Sequence, residues 1–158
     1  MKQALIVIDM QTHFCESYND RIVRECINEI RRAKRLNLPI FLVEYVGCGQ
    51  TDSRLKQEAN GHKLLHRVTK YDDDGSYEIE KRFKLKKYAF NSVRVCGVNA
   101  PYCVAETVEG LQRRLPNMKV YINNRACGTV GDSRRPKYRS NLEYSGVDKF
   151  KNVRRIKV

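Results

Sequence analysis

Ala4, Leu5, Ile6, Val7 and Ile8 form an unbroken apolar run of strand length, and Asp9 follows it directly. A run that is apolar at every position suits a strand buried on both faces of a parallel sheet. The period then changes. Ile22, Val23, Cys26, Ile27, Ile30 and Ala33 recur at three- and four-residue spacing among Arg and Glu, which predicts an amphipathic helix. Asn19 and Asp20 can cap it, and Asn37 with Pro39 stops it. Residues 40–46 are again mostly apolar and predict a second strand, so strand, helix and strand make a parallel unit.

Downstream, residues 47–61 read as a polar connection with a short helix over 53–59, and residues 64–69 as a third strand. A helix is predicted over 77–84, with Ser76 near its cap and Glu78 and Glu80 in its early turns, and residues 86–91 follow as a polar connection. Val93 to Cys96 predict a strand, Gly97 a sharp turn, and Pro101 the opening of a helix with Cys103 in its first turn. Val104, Val108, Leu111 and Leu115 mark the buried stripe of that helix, and Pro116 ends it. Residues 119–123 predict the fifth strand, 125–139 a loop, 142–150 a short helix and 153–158 a last strand. Strands alternating with helices give an α/β fold, a mostly parallel sheet flanked by helices on both faces.

Composition narrows the class. A chain of 158 residues is expected to be one domain, residues 1–158, large enough to bury a core without staples. No run reaches the roughly 20 apolar residues of a membrane span, and residues 1–4 lead into a strand without a signal-peptide pattern, so no membrane contact and a cytoplasmic location are expected. Cysteines 15, 26, 48, 96, 103 and 127 form no C-x-x-C pair and read as reduced thiols. The net charge is +13, and residues 111–158 hold 13 Lys and Arg against Asp132, Glu143 and Asp148. That basic C-terminal third is as consistent with a polyanion or nucleic-acid partner as with a solvated basic surface.

Two residues stand out for chemistry. Asp9 follows a central strand, where open α/β sheets place their ligands; a turn or N-cap aspartate is the equal competing reading. Cys103, in the first turn of a helix, faces unpaired backbone N–H groups and the positive end of the helix dipole, which favours a thiolate. For an isolated cysteine, burial for packing is the commoner role.

The strand ending in Asp9, Met10 and Gln11, with Phe14, taken together with Val95, Cys96, Gly97, Val98 and Asn99 and with Cys103 and Val104, resembles the isochorismatase-like cysteine hydrolases, a family that includes nicotinamidases. The resemblance runs from residue 4 to about 127. It implies a six-stranded, mostly parallel sheet and a catalytic triad in which Asp9 is the general base, Cys103 the nucleophile and a lysine the third member. It also implies a cis peptide between Val98 and Asn99, and an oxyanion hole made by the backbone N–H groups of Asn99 and Cys103. Lys84 leaves eight residues before Val93, too few for the helix that family topology needs there, since a helix with its connections takes about 10–12. Lys70 leaves room and is the lysine chosen; its competing role is to neutralise Asp72 to Asp74 on the surface.

The chain also departs from the family. Ala100 and Pro101 replace a hydroxyl residue and an acid that brace the turn, His13 stands where Asp or Asn is common, and Arg125 where an acid is common. The family's metal site needs an Asp-x-His and a further His, which residues 47–61 lack; His62 and His66 read as ordinary residues, so no metal and no cofactor are expected. Phe14, Tyr45 and Tyr102 are the substrate-pocket candidates. The function so implied is hydrolysis of an amide, carbamoyl or ureido C–N bond in a small molecule, through a thioester on Cys103. Two alternatives stand beside it. One is a catalytically impaired relative that binds nucleic acid or an acidic partner through its basic surface; the other is a redox-sensing thiol at Cys103. Family members often form oligomers, so a homo-oligomer is within its scope.

Overall fold

The computed structural model describes residues 3–129 and 151–156. The helix predicted over 142–150, the loop beyond residue 129 and the end of the last predicted strand lie outside the described residues.

Six strands form one parallel sheet among the described residues: β1 (Gln3–Ile8), β2 (Ile40–Tyr45), β3 (Leu65–Lys70), β4 (Ser92–Gly97), β5 (Lys119–Cys127) and β6 (Val153–Ile156), in the order β3-β2-β1-β4-β5-β6. The α/β expectation therefore holds, and β1 and β4 are the central pair. Alternate residues of each strand enter different cores, which explains the unbroken apolar runs. Ala4, Ile6, Ile8, Phe41 and Val43 face one core, and Leu5, Val7, Ile40 and Leu42 the other. Helices α1 (Asp20–Arg35) and α2 (Ser53–Ala59) cover the second; α3 (Ser76–Leu85) and α4 (Ala105–Arg114) cover the first.

Local chemistry sets the helix ends. Asn19 Oδ1 accepts from the N–H groups of Arg21 and Ile22, at 3.0 and 3.4 Å, and three basic residues occupy the last turn of α1, where they favour the negative end of its dipole. At α3 the predicted cap is displaced. Gly75 is the N-cap residue, and Asp74 Oδ1 takes the Ser76 N–H at 2.7 Å. The connection at residues 86–91, polar by composition, carries Tyr88 and Phe90 into an aromatic group with Phe41, Phe83 and His66, whose ring centroids lie 4.7–6.3 Å apart.

Strand β5 runs four residues beyond its predicted end. Asn124 and Arg125 are polar, yet the register shift between Val95 and Gly97 accommodates them, and Ala126 and Cys127 are again buried on opposite faces. The polar Asn123 is tolerated because its Nδ2 donates to the buried Glu29 at 2.7 Å. Gly97, at φ 125°, lets β1 and β4 close at their carboxyl ends; a Cβ there would stand 2.0 Å from the carbonyl oxygen of Ile8.

Candidate active site

The carboxyl ends of β1, β3 and β4 meet at one place. Asp9 directly follows β1 with φ 50°, a left-handed conformation that aspartate adopts more readily than most residues, and its side chain is fully buried. Lys70, the last residue of β3, is also fully buried, with Nζ 3.0 Å from Asp9 Oδ2. The same ammonium donates to the carbonyl oxygens of Asp72 at 2.9 Å and Asp73 at 3.0 Å, and lies 4.4 Å from the centre of the Tyr45 ring. Lys70 is thus no surface partner of the acidic run that follows it. Lys84 is exposed on α3 and pairs with Glu80 at 2.6 Å.

Cys103 lies in a π-helical turn, Ala100–Val104, that leads into α4. The preceding Val98–Asn99 peptide bond is cis. Pro101 stands in the first turn, where its missing N–H costs nothing. Backbone bonds brace this elbow in place of the side chains that Ala100 and Pro101 lack. Ala100 N–H donates to the Gly128 carbonyl at 2.7 Å, and the N–H groups of Tyr102 and Val104 share the Asn99 carbonyl at 3.1 Å. Asn99 Oδ1 is buried without a hydrogen-bond partner.

The electrostatics differ from the thiolate that the helix terminus alone suggests. Burial, then the Asp9 carboxylate as charge and as hydrogen-bond partner, push the Cys103 thiol up to about 12. Lys70 opposes this, and Asp73 adds to it: Cys103 Sγ donates to Asp73 Oδ1 at 3.4 Å. Two carboxylates and a dry setting outweigh one ammonium and a helix end. Burial likewise raises Asp9 above its ordinary value, partly offset by the charge of Lys70 and by the nearby Cys103 thiol. Neither Asp9 oxygen has a hydrogen-bond partner of ordinary geometry, so the Lys70 contact is one of charge and the carboxylate keeps open acceptor positions. The resting pair is therefore a neutral thiol beside a basic carboxylate.

Around this centre, Tyr45 is half-buried; burial and then the Asp73 carboxylate raise its hydroxyl. Tyr102 is exposed, and the partly buried Phe14 packs against the core that α1 and α2 cover. His62 Nε2 contacts the Leu38 carbonyl at 2.8 Å and His66 Nε2 the Tyr88 hydroxyl at 3.0 Å. Among the described residues no group of three His, Cys, Asp or Glu is arranged to hold a metal ion, and no helix is long and apolar enough to cross a membrane. All six cysteines are free, and Cys26 and Cys96 bond the backbone carbonyls of Ala126 and Ile6. Gln11, Thr107 and Asp73 make contacts here to which the sequence reading gave no role. Gln11 joins the loops, its amide bonding the backbone of Tyr45 and Gly49, and Thr107 accepts from Gly75 N–H at 3.0 Å and donates to the Asp73 carbonyl at 3.3 Å. The signal for Asp73 was the acidic run after Lys70, which composition alone assigns to the surface.

The sequence model of the isochorismatase domain matches residues 3–147. The chain belongs to the isochorismatase family. Solved structures share this family member's fold at low identity. The MAR1 ribonuclease from Caenorhabditis elegans superposes with a TM-score of 0.76 at 20% identity, over 98% of this chain and 76% of that one. The nicotinamidase SaPncA from Staphylococcus aureus gives 0.73 at 17%, over 96% of both chains. The N-carbamoylsarcosine amidase from Thermoplasma acidophilum gives 0.75 at 16%, over 99% of this chain and 96% of that one. No curated protein sequence matches the chain.

Proposed function

We propose that this family member is a cysteine hydrolase acting on the C–N bond of a small amide, carbamoyl or ureido compound. The observation that carries the proposal is the buried Asp9–Lys70 pair, 3.0 Å apart, beside the thiol of Cys103 at the carboxyl edge of the sheet. Nicotinamidase and amidase structures with this fold agree with that substrate class. Asp9 takes the thiol proton as Cys103 Sγ bonds to the carbonyl carbon. Lys70 holds Asp9 in its charged form, and the backbone N–H groups of Asn99 and Cys103 receive the oxyanion. Asp9 then returns the proton to the departing nitrogen as the C–N bond breaks, leaving a thioester and free ammonia or amine. Water adds to the thioester, giving its proton to Asp9. Breakage of the C–S bond releases the acid, and the thiol is reprotonated. Because the resting thiol is neutral, proton removal and attack are coupled. Replacing Cys103 by Ala should abolish ammonia release from an amide panel while the circular-dichroism spectrum is kept; turnover at the wild-type rate would overturn the proposal.

A second reading is contact with nucleic acid, favoured by the net charge of +13 and by the likeness to a ribonuclease. Asp72 and Asp73 at the site mouth repel a polyanion there, so this contact uses the basic surface elsewhere. RNA binding that weakens steeply with salt and persists in the Cys103→Ala protein would support it.

A further inference from the structure

Asp9, Lys70 and Cys103 suffice for the chemistry proposed above, and one charged group at the site has no part in it. The Asp73 carboxylate touches the thiol, with Oδ1 3.4 Å from Cys103 Sγ. The loop that carries it is pinned on several sides. Lys70 Nζ and Thr107 Oγ1 bond the Asp73 carbonyl, its N–H donates to Asp72 Oδ1 at 2.7 Å, and Asp74 is tied to the start of α3. Gly110 of α4 admits this loop closely: a Cβ there would meet Asp74 Oδ2 and Ser76 Oγ at 2.3 Å. The side chain of Asp73 makes no such structural bond. It is half-buried.

The charged and titratable groups around the thiol are Asp9 from β1, Tyr45 from β2, Lys70 from β3, and Asp72 and Asp73 from the loop after β3. Lys70 is the cation of this group among the described residues, and it is already engaged by Asp9 and two carbonyls. Among the described residues, Asp73 therefore faces the place of attack with no positive partner. A substrate carrying its own positive charge near the reacting carbonyl would supply one. Resting on Cys103 as the nucleophile, we propose that Asp73 is the specificity-determining residue of this site and selects amides whose acyl part bears a protonated amine. The same ion pair offsets a charge that opposes thiolate formation, so binding of a cationic substrate itself prepares Cys103 for attack.

Three amides of similar size test this: β-alaninamide, which is cationic, butyramide, which is neutral, and succinamate, which is anionic. Each is measured for protection of Cys103 against iodoacetamide in the full chain, by mass of the Cys103 peptide, and for ammonia release. β-Alaninamide should protect at about tenfold lower concentration than butyramide, with succinamate weakest, as expected for one partly desolvated ion pair. Asp73→Asn should bring the three together and move the alkylation profile to lower pH by about one unit, and Asp73→Glu should restore the preference. Equal protection by the three amides, or an Asp73→Asn protein with both preference and profile unchanged, would overturn the proposal. Ammonia release without charge preference removes the role of Asp73 and leaves the hydrolase standing. Charge-selective protection without ammonia release from any amide removes the hydrolase and leaves Asp73 as the selector of a cationic ligand.

Discussion

Two buried ion pairs sit at different places in this molecule, and they are built differently. Glu29 of α1 and Arg94 of β4 form a bidentate pair, with Arg94 Nε donating to Glu29 Oε2 at 2.7 Å, Nη2 to Oε1, and Asn123 adding a third donor. Every acceptor position that matters is filled. Asp9 and Lys70 are more deeply buried, both at 0% exposure, yet neither carboxylate oxygen is hydrogen-bonded in ordinary geometry. A buried pair contributes to stability only when its remaining lone pairs are satisfied. The first pair meets that condition and ties α1 to the sheet; the second leaves its carboxylate basic, as the role proposed for Asp9 requires.

The sharpest test of that difference is Asp9→Asn. Ammonia release should fall about a hundred- to ten-thousand-fold, the usual contribution of a positioned base. The wild-type pH profile carries the same information. Burial raises the Asp9 pKa, so the working carboxylate is lost as pH falls through a value above the ordinary 3.8, and the acid limb should lie correspondingly higher. A limb at the ordinary carboxylate value would break the contrast.

Glu29→Ala probes the other pair. It leaves Arg94 and Asn123 without their acceptor and should cost about 3–5 kcal/mol in chemical denaturation. The alkylation rate of Cys103 in the folded protein should not change. A stability cost near zero, or altered thiol reactivity, would show that the two regions are not separate in role. At the small end, Lys84→Ala removes an exposed i,i+4 partner of Glu80 and should cost no more than about 0.5 kcal/mol with turnover intact. A loss of turnover in that protein would revive Lys84 over Lys70.

Charge shows a related division. The chain is basic overall at +13, but Asp9, Asp72 and Asp73 gather at the site against Lys70. Net charge governs what the surface attracts, whereas a short-range cluster governs what reaches the thiol.

Most of the architecture was legible in the chain. The apolar runs at residues 4–8 and 40–45 gave β1 and β2 because both faces of a parallel sheet are buried, and the spacing from Ile22 to Ala33 gave α1. Where the pattern failed, a tertiary partner had overridden it. The polar stretch after Asn123 stays in β5 because a register shift absorbs the irregularity, and Tyr88 and Phe90 are drawn from a polar connection into the aromatic core.

Sequence by itself determined the order of strands and helices, the family, and the candidacy of Asp9, Lys70 and Cys103, because periodicity and short motifs are local properties. Only the tertiary structure decided the protonation chemistry among them. Asp9, the Lys70–Asp73 stretch and Cys103 are far apart in the chain and meet because the order β3-β2-β1-β4 brings those strand ends together. A helix terminus read alone favours a thiolate, but the field at a sulfur is the sum over all neighbours. Burial beside Asp9 and Asp73 reverses the sign that the local motif suggested.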